Sequence, residues 1–107
     1  MSEEVLDQIK RDVQSNKILV YMKGTPEAPL CGFSRATVKL LQGFNVPFST
    51  RDVIANPDLR AEVPEFSNWP TFPQVFVDGK LIGGCDIIHE MHERGELEPL
   101  LRKALGA

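Results

Sequence analysis

The residues with the clearest capacity for chemistry are four consecutive ones, Cys31-Gly32-Phe33-Ser34. In a Cys-x-x-Cys motif the fourth residue is a second thiol, which closes a disulfide with the first. Ser34 cannot close that disulfide, because a hydroxyl oxygen does not replace the second sulfur. The motif therefore keeps an attacking thiol without its resolving partner. It predicts a thiolate that reacts with an outside thiol or binds a metal.

The chain has one further cysteine, Cys85, which lies far from Cys31 in the sequence. In a reducing cytosol, two distant cysteines are more often reactive or metal-binding than joined in a structural disulfide. A small buried hydrophobic residue is an equally good interpretation of Cys85. A third interpretation makes Cys85 the resolving thiol for Cys31, which requires their Cα atoms to lie within about 7 Å.

Two histidines, His89 and His92, are spaced so that they lie near each other on a predicted helix. Histidine pairs on helices are familiar metal ligands. Here no cysteine or acid pair accompanies them at ligand spacing, so we interpret both as surface residues.

The overall composition is that of one small globular domain spanning residues 1–107. Its net charge of −3 argues against a sequence-independent nucleic-acid binder, which needs a clustered basic face. The longest apolar run, at residues 18–22, is too short to cross a membrane. The acidic first residues resemble neither a secretory signal nor an Arg-rich transit peptide, so we expect a cytoplasmic location.

Hydrophobic periodicity and turn residues divide the chain into helices and strands. Val5, Ile9 and Val13 recur at helical spacing, and the all-apolar run at 18–22 predicts a central strand covered on both faces. The next predicted elements are a helix over 31–42 ended by Gly43, a strand over 48–53, and a helix over 57–66, capped by Asn56, that Pro64 kinks or ends. The last ones are hairpin strands 74–77 and 80–82 joined by Asp78-Gly79, and helices over 86–94 and 97–105.

The order of these elements, αβαβαββαα, restricts the topology. A βαβ unit requires a parallel strand pair with a right-handed crossover, whereas the hairpin adds an antiparallel pair. One mixed sheet of four strands with helices on both faces satisfies both requirements. The sequence therefore predicts an α/β protein with a thioredoxin-like fold.

Four motifs occur in an order that fits this fold. They are Lys23, Cys31-Gly32-Phe33-Ser34, Trp69-Pro70-Thr71-Phe72-Pro73-Gln74 and Gly83-Gly84-Cys85-Asp86. Together they resemble the monothiol glutaredoxins of the CGFS type, in the subgroup with a single domain. The resemblance covers essentially the whole chain.

The predicted position of Cys31 favours its ionised form. At a helix N-terminus, unpaired backbone N–H groups and the positive end of the helix dipole stabilise a thiolate. Lys23, just past the central strand, adds a second positive charge nearby. We therefore expect the pKa of the Cys31 thiol to lie below its usual value.

The resemblance implies a glutathione site and assigns residues to it. Lys23 and Arg60 would bind the glycyl carboxylate. Thr71-Phe72-Pro73 would contain a cis peptide that exposes the Phe72 backbone to the cysteinyl part of the ligand, although a trans Pro73 that simply starts the strand is the alternative. The γ-glutamyl end would lie at a helix N-terminus formed by Gly84, Cys85 and Asp86, with Asp86 as its cap. Trp69 is either part of the groove wall or a packing residue.

The resemblance also implies a function. A 2Fe-2S cluster needs four ligands, and two chains with two glutathione molecules supply four sulfurs, one being Cys31 of each chain. The expected protein is a homodimer bridged by a labile cluster, which it passes to apo iron–sulfur proteins in iron homeostasis, and a BolA-like protein can replace one protomer. The alternative is a glutathione-dependent thiol–disulfide oxidoreductase that removes glutathione from protein thiols through Cys31 alone.

Overall fold

The computed structural model describes residues 2–106 and confirms the predicted order of elements. They are α1 (Glu3–Ser15), β1 (Ile18–Met22), α2 (Gly32–Gly43), β2 (Ser49–Asp52), α3 (Pro57–Ser67), β3 (Gln74–Val77), β4 (Lys80–Gly83), α4 (Cys85–Glu93) and α5 (Leu97–Ala104). The expected domain of residues 1–107 also includes Met1 and Ala107, which lie outside the described residues. None of the helices within residues 2–106 is long and apolar enough to cross a membrane.

The four strands form one mixed sheet in the order β2-β1-β3-β4, which confirms the thioredoxin-like prediction. Strand β1 pairs with β2 in parallel and with β3 in antiparallel orientation, and β3 and β4 form the hairpin. All five residues of β1 are buried, as expected for a central strand covered on both faces. The hairpin turn places Asp78 and Gly79 at φ 53° and 80°, the left-handed values that a two-residue turn of this kind requires.

The helices divide between the two faces of the sheet, and each face has its own hydrophobic core. Helices α2, α4 and α5 cover one face, where Val20 of β1 meets residues such as Leu41 and Ile88. Helices α1 and α3 cover the other face, where Tyr21 of β1 meets Ile9 and Val63. Alternate side chains of β1 thus point into different cores, which fixes this strand in the centre of the molecule.

The predicted ends of α3 and α2 agree with the structure to within one residue. Of the two outcomes expected at Pro64, the end of the helix is excluded, because α3 continues to Ser67. Phe66, two residues beyond Pro64, packs against the core, and this burial offsets the hydrogen bond that proline cannot donate. Helix α2 does end at Gly43, but the left-handed residue that follows it is Asn45, with φ 56°.

Candidate functional site

The loop after β1 returns the chain to the strand end and so places Cys31 beside Lys23. The backbone N–H of Leu30 donates a 2.9 Å hydrogen bond to the carbonyl of Lys23. The turn requires Gly24, which has φ 89° and where a Cβ would lie 2.5 Å from the carbonyl oxygen of Ala28. The backbone N–H of Gly24 also donates to the Asp52 carboxylate at 3.0 Å, which ties the loop to the end of β2.

Cys31 is the N-cap residue of α2, which confirms the expected helix N-terminus. Its backbone is extended, with φ −150° and ψ 155°, and its side chain accepts a hydrogen bond from the backbone N–H of Ser34. The sulfur lies 3.3 Å from that nitrogen and 3.3 Å from the Ser34 hydroxyl oxygen. The thiol is partly exposed, so it can be reached from solvent while two polar groups of Ser34 contact it.

The surroundings lower the pKa of the Cys31 thiol below its usual value of 9.0, as the sequence predicted. Burial alone would raise this pKa. The hydroxyl and backbone N–H of Ser34, the backbone N–H of Phe33 and the charge of Lys23 together outweigh burial, because each favours the thiolate. The site therefore holds a thiolate at lower pH than an ordinary cysteine would.

Ser34 does more than replace a second thiol, because its hydroxyl also forms hydrogen bonds within the site. The sequence interpretation missed this role. Its side chain is fully buried, and its hydroxyl oxygen accepts a 3.1 Å hydrogen bond from the backbone N–H of Lys23. With its oxygen accepting from Lys23, the hydroxyl has its hydrogen free to donate to the Cys31 sulfur. Its spacing, three residues after a helix cap, is the signal that could have pointed to a contact with that sulfur.

A groove of about 460 Å³ opens beside Cys31. Each residue that the sequence assigned to ligand binding lines this groove; these are Lys23, Arg60, Thr71, Phe72, Pro73, Gly84, Cys85 and Asp86. Cys31 is not one of the lining residues, but Lys23, whose charge lowers the pKa of Cys31, and Phe33, two residues after it, both line the groove. The fold thus brings together residues from four separate segments of the chain.

The loop before β3 forms one wall of the groove. The peptide bond between Phe72 and Pro73 is cis, and within residues 2–106 no hydrogen bond engages the backbone N–H or carbonyl of Phe72. These groups are therefore available to an extended ligand. Trp69 also lines the groove, so of its two interpretations the wall residue is confirmed. Gly84 packs closely against this loop, because a Cβ there would lie 3.1 Å from the carbonyl oxygen of Pro73.

The N-terminus of α4 forms the facing part of the groove. Its N-cap is Gly84, which has no side chain to bond the first N–H groups of the helix. The prediction that Asp86 caps this helix is wrong: the helix begins at Cys85, so Asp86 lies within the first turn. Its carboxylate lines the groove there, next to the uncapped N–H groups.

Two cations of the groove have no acidic partner within residues 2–106. Neither Lys23 nor Arg60 is part of an ion pair in this part of the chain. Lys23 is half-buried, whereas Arg60 is exposed on α3. Their charges are therefore available to an anionic ligand group.

His89 does not behave as a simple surface residue, which corrects the sequence interpretation. It is half-buried, and its Nδ1 lies 2.7 Å from the carbonyl oxygen of Cys85 and 3.5 Å from the Cys85 sulfur. It lines a second, more open cavity of about 450 Å³, which adjoins the groove at Phe33. His92 is exposed and contacts the ring of Phe44 edge-on, so the surface interpretation holds for it.

Cys31 and Cys85 are both free thiols, each partly exposed. Among residues 2–106, no three His, Cys, Asp or Glu side chains are grouped closely enough to hold a metal ion. A metal centre bound at Cys31 would therefore need ligands from outside this part of the chain.

Comparison with known proteins agrees with this geometry. The family model described as Glutaredoxin matches residues 18–82. Glutaredoxin 4 of Pasteurella multocida (strain Pm70) is 55% identical over 98 residues, which cover 92% of this chain and 90% of the relative. Glutaredoxin 4 of Escherichia coli (strain K12) is 50% identical over 98 residues, covering 92% of this chain and 85% of the relative.

Solved structures share the fold. The solution structure of reduced poplar apo GrxS14 matches with a TM-score of 0.80 and 41% identity, covering 98% of this chain and 94% of that one. The crystal structure of the buckwheat glutaredoxin–glutathione complex matches with a TM-score of 0.82 and 29% identity, covering 97% of this chain and 96% of that one.

Proposed function

This chain belongs to the glutaredoxin family, in its monothiol CGFS class, and on that premise we propose that it binds glutathione and carries a labile 2Fe-2S cluster between two copies of itself. One observation carries the proposal. A single groove gathers all eight residues expected to bind the ligand, beside a thiol whose pKa is lowered and which has serine in place of a resolving cysteine. The buckwheat neighbour was crystallised as a complex with glutathione, which supports the choice of ligand.

The chemistry of glutathione matches the groups in the groove. Lys23 and Arg60 offer charges for its glycyl carboxylate, because neither is engaged in an ion pair within residues 2–106. The backbone N–H and carbonyl of Phe72 offer strand-like hydrogen bonds to its cysteinyl residue. The uncapped N–H groups at the start of α4, with Asp86 beside them, offer a site for its γ-glutamyl carboxylate and amine.

The cluster, as cargo, must draw most of its ligands from outside one chain. A 2Fe-2S cluster takes four ligands, usually thiolates, and the groove region offers the Cys31 thiolate. Bound glutathione adds a second sulfur, and a second copy with its own glutathione completes the set. Because half of these ligands are exchangeable small molecules, the cluster would be released easily to apo iron–sulfur proteins, as expected for a role in cluster assembly, transfer and iron homeostasis.

Anaerobic reconstitution with iron, sulfide and glutathione tests the proposal. The wild-type protein should become coloured and dimeric, with two iron atoms and two glutathione molecules per dimer. The Cys31→Ser variant should stay colourless and monomeric, whereas Cys85→Ser should retain most of the cluster. Equal cluster binding by Cys31→Ser would overturn the ligand assignment, and a colourless Cys85→Ser would reverse the ranking of the two thiols.

A second candidate function is the removal of glutathione from protein thiols, which the lowered pKa of Cys31 favours. The Cys31 thiolate would attack the glutathione sulfur of a mixed disulfide, and the protein thiolate would leave. A glutathione thiolate would then attack the same sulfur, releasing Cys31 and forming glutathione disulfide. We expect weak turnover in a mixed-disulfide assay. Brisk turnover would favour the enzyme over the cluster carrier.

The partners and location follow from the same proposal. A BolA-like protein would replace one protomer and supply a different cluster ligand, and the recipients would be apo iron–sulfur proteins in the cytoplasm. Size-exclusion chromatography of the reconstituted protein with an added BolA-like protein tests the first point. A heterodimer that retains the cluster colour is the expected result.

A further inference from the structure

The loop of residues 69–73 is attached to the sheet by one side chain, that of Gln74. The Gln74 amide nitrogen lies 2.8 Å from the carbonyl oxygen of Trp69 and 3.2 Å from that of Thr71. Within residues 2–106 no other hydrogen bond reaches a carbonyl group of residues 69–72. The backbone N–H of Trp69 holds the start of the loop to α3, and Phe72 packs against the core. The two loop carbonyls that are hydrogen-bonded both depend on the Gln74 amide.

The orientation of that amide follows from its partners. Two carbonyl oxygens can only accept hydrogen bonds, so the group facing them must be the NH₂, with both of its hydrogens in use. Gln74 is itself held firmly, because it is fully buried and opens β3, where it pairs with Tyr21 of the central strand. The hydrogen bonds of this amide thus restrict the motion of the loop relative to the sheet.

The other end of the amide is left without a partner. Among the described residues, no group donates a hydrogen bond to the buried Gln74 Oε1. Burying an unpaired acceptor lowers stability, so an apolar side chain of the same size would fill this position at less cost to the core. A buried glutamine here is therefore better explained by the two hydrogen bonds that its NH₂ group donates than by packing.

We propose that Gln74 is a positioning residue for ligand binding, because it fixes the loop that presents the Phe72 backbone to the groove. Gln74 does not line the groove, so its effect on a ligand would be indirect. It acts by holding the carbonyls of Trp69 and Thr71, on either side of the exposed turn. This inference rests on the proposed function, in that the ligand is taken to be glutathione.

The variant Gln74→Met tests the proposal, because methionine is unbranched, similar in size and lacks both donors. In the ligand-free protein, exchange of the Trp69 amide hydrogen, which is bonded to the Pro64 carbonyl, should become about tenfold faster, with β1 unchanged. Glutathione affinity, measured by NMR titration in a Cys31→Ser background, should fall about tenfold. The alkylation rate of Cys31, measured in the variant that retains this cysteine, should stay as in the wild type.

A matched control separates loop positioning from general loss of stability. Val77→Ala alters a buried residue of the same strand in the opposite core, which contains no residue of the loop, so it should leave glutathione affinity unchanged. If Gln74→Met is insoluble, Gln74→Leu takes its place, since leucine is apolar and has no donor. Wild-type exchange or wild-type affinity in the variant would overturn the inference. Failure of the wild-type protein to bind glutathione would instead overturn the proposed function, and the exchange data would still decide whether Gln74 holds the loop.

Discussion

The Ser34 hydroxyl oxygen accepts a 3.1 Å hydrogen bond from the backbone N–H of Lys23, and it lies 3.3 Å from the Cys31 sulfur. The end of the central strand is thereby linked to the reactive thiol through one buried hydroxyl. Lys23 acts on Cys31 in two ways, by its charge and by orienting Ser34. A serine at this position both prevents an internal disulfide and stabilises the thiolate.

Replacing Ser34 should raise the pKa of Cys31. In Ser34→Ala the hydroxyl that favours the thiolate is gone, so a smaller fraction of the thiol is ionised at a given pH. Alkylation by iodoacetamide at about pH 6 should slow roughly tenfold, while the rates should converge at high pH, where both proteins are ionised. Ser49→Ala, which removes a hydroxyl bonded to Asn16, is the control. Identical pH profiles for Ser34→Ala and the wild type would contradict this role.

Removing either groove cation should weaken glutathione binding. Lys23→Gln is expected to lower the affinity about tenfold and the more exposed Arg60→Gln about threefold, since solvent screens an exposed charge more strongly. Both losses should shrink as salt is added. Isothermal titration in a Cys31→Ser background measures them. Lys39→Gln removes an exposed charge that does not line the groove and should bind normally, and a similar loss in this control would argue against specific contacts.

Adding one methyl group at Gly84 should narrow the groove. The Cβ of Gly84→Ala would lie 3.1 Å from the Pro73 carbonyl oxygen, so α4 or the loop must shift. We expect glutathione affinity to fall about tenfold, because both walls of the groove meet here. Isothermal titration in a Cys31→Ser background measures this affinity. Gly43→Ala is the matched control, since no atom lies within 4 Å of its Cβ. Normal binding by Gly84→Ala would mean that this close approach does not shape the groove.

Stability should depend on pH through Asp52. Burial raises the pKa of this carboxyl, but hydrogen bonds from the backbone N–H groups of Gly24, Ile54 and Ala55 outweigh it and lower the pKa below 3.8. The folded state therefore binds this proton less readily than the unfolded chain. The carboxylate stabilises the fold above about pH 3.8, and this stabilisation is lost as the pH falls through the lower folded value.

The variant Asp52→Ala should consequently have a Tm a few degrees lower at neutral pH, because three N–H groups lose their acceptor. The difference from the wild type should close as the pH falls below 3.8. Thermal unfolding followed by circular dichroism at several pH values gives the comparison. Asp52→Asn, which keeps an acceptor oxygen, should fall between the two. A Tm difference that stays constant down to acid pH would show that the charge plays no part.

Local sequence patterns were sufficient to predict most of the fold. The all-apolar residues 18–22 indicated the central strand, and Asp78-Gly79 indicated the hairpin, because each signal depends on neighbouring residues alone. Local rules left two outcomes open at Pro64, a kink or the end of the helix, and the helix continues beyond it. Packing of Phe66 against the core accounts for this, and no local rule contains that contact.

The sequence by itself determined which chemistry is present: one thiol followed by Gly32, Phe33 and Ser34, and a set of motifs similar to those of a known family. The tertiary structure alone decided how these parts act together. It places eight residues from four segments around one groove, gives Ser34 its contacts with Lys23 and Cys31, and makes Gln74 the attachment of a loop. The physical reason is that hydrogen bonds and charges act over a few ångströms, and packing of the whole chain sets those distances.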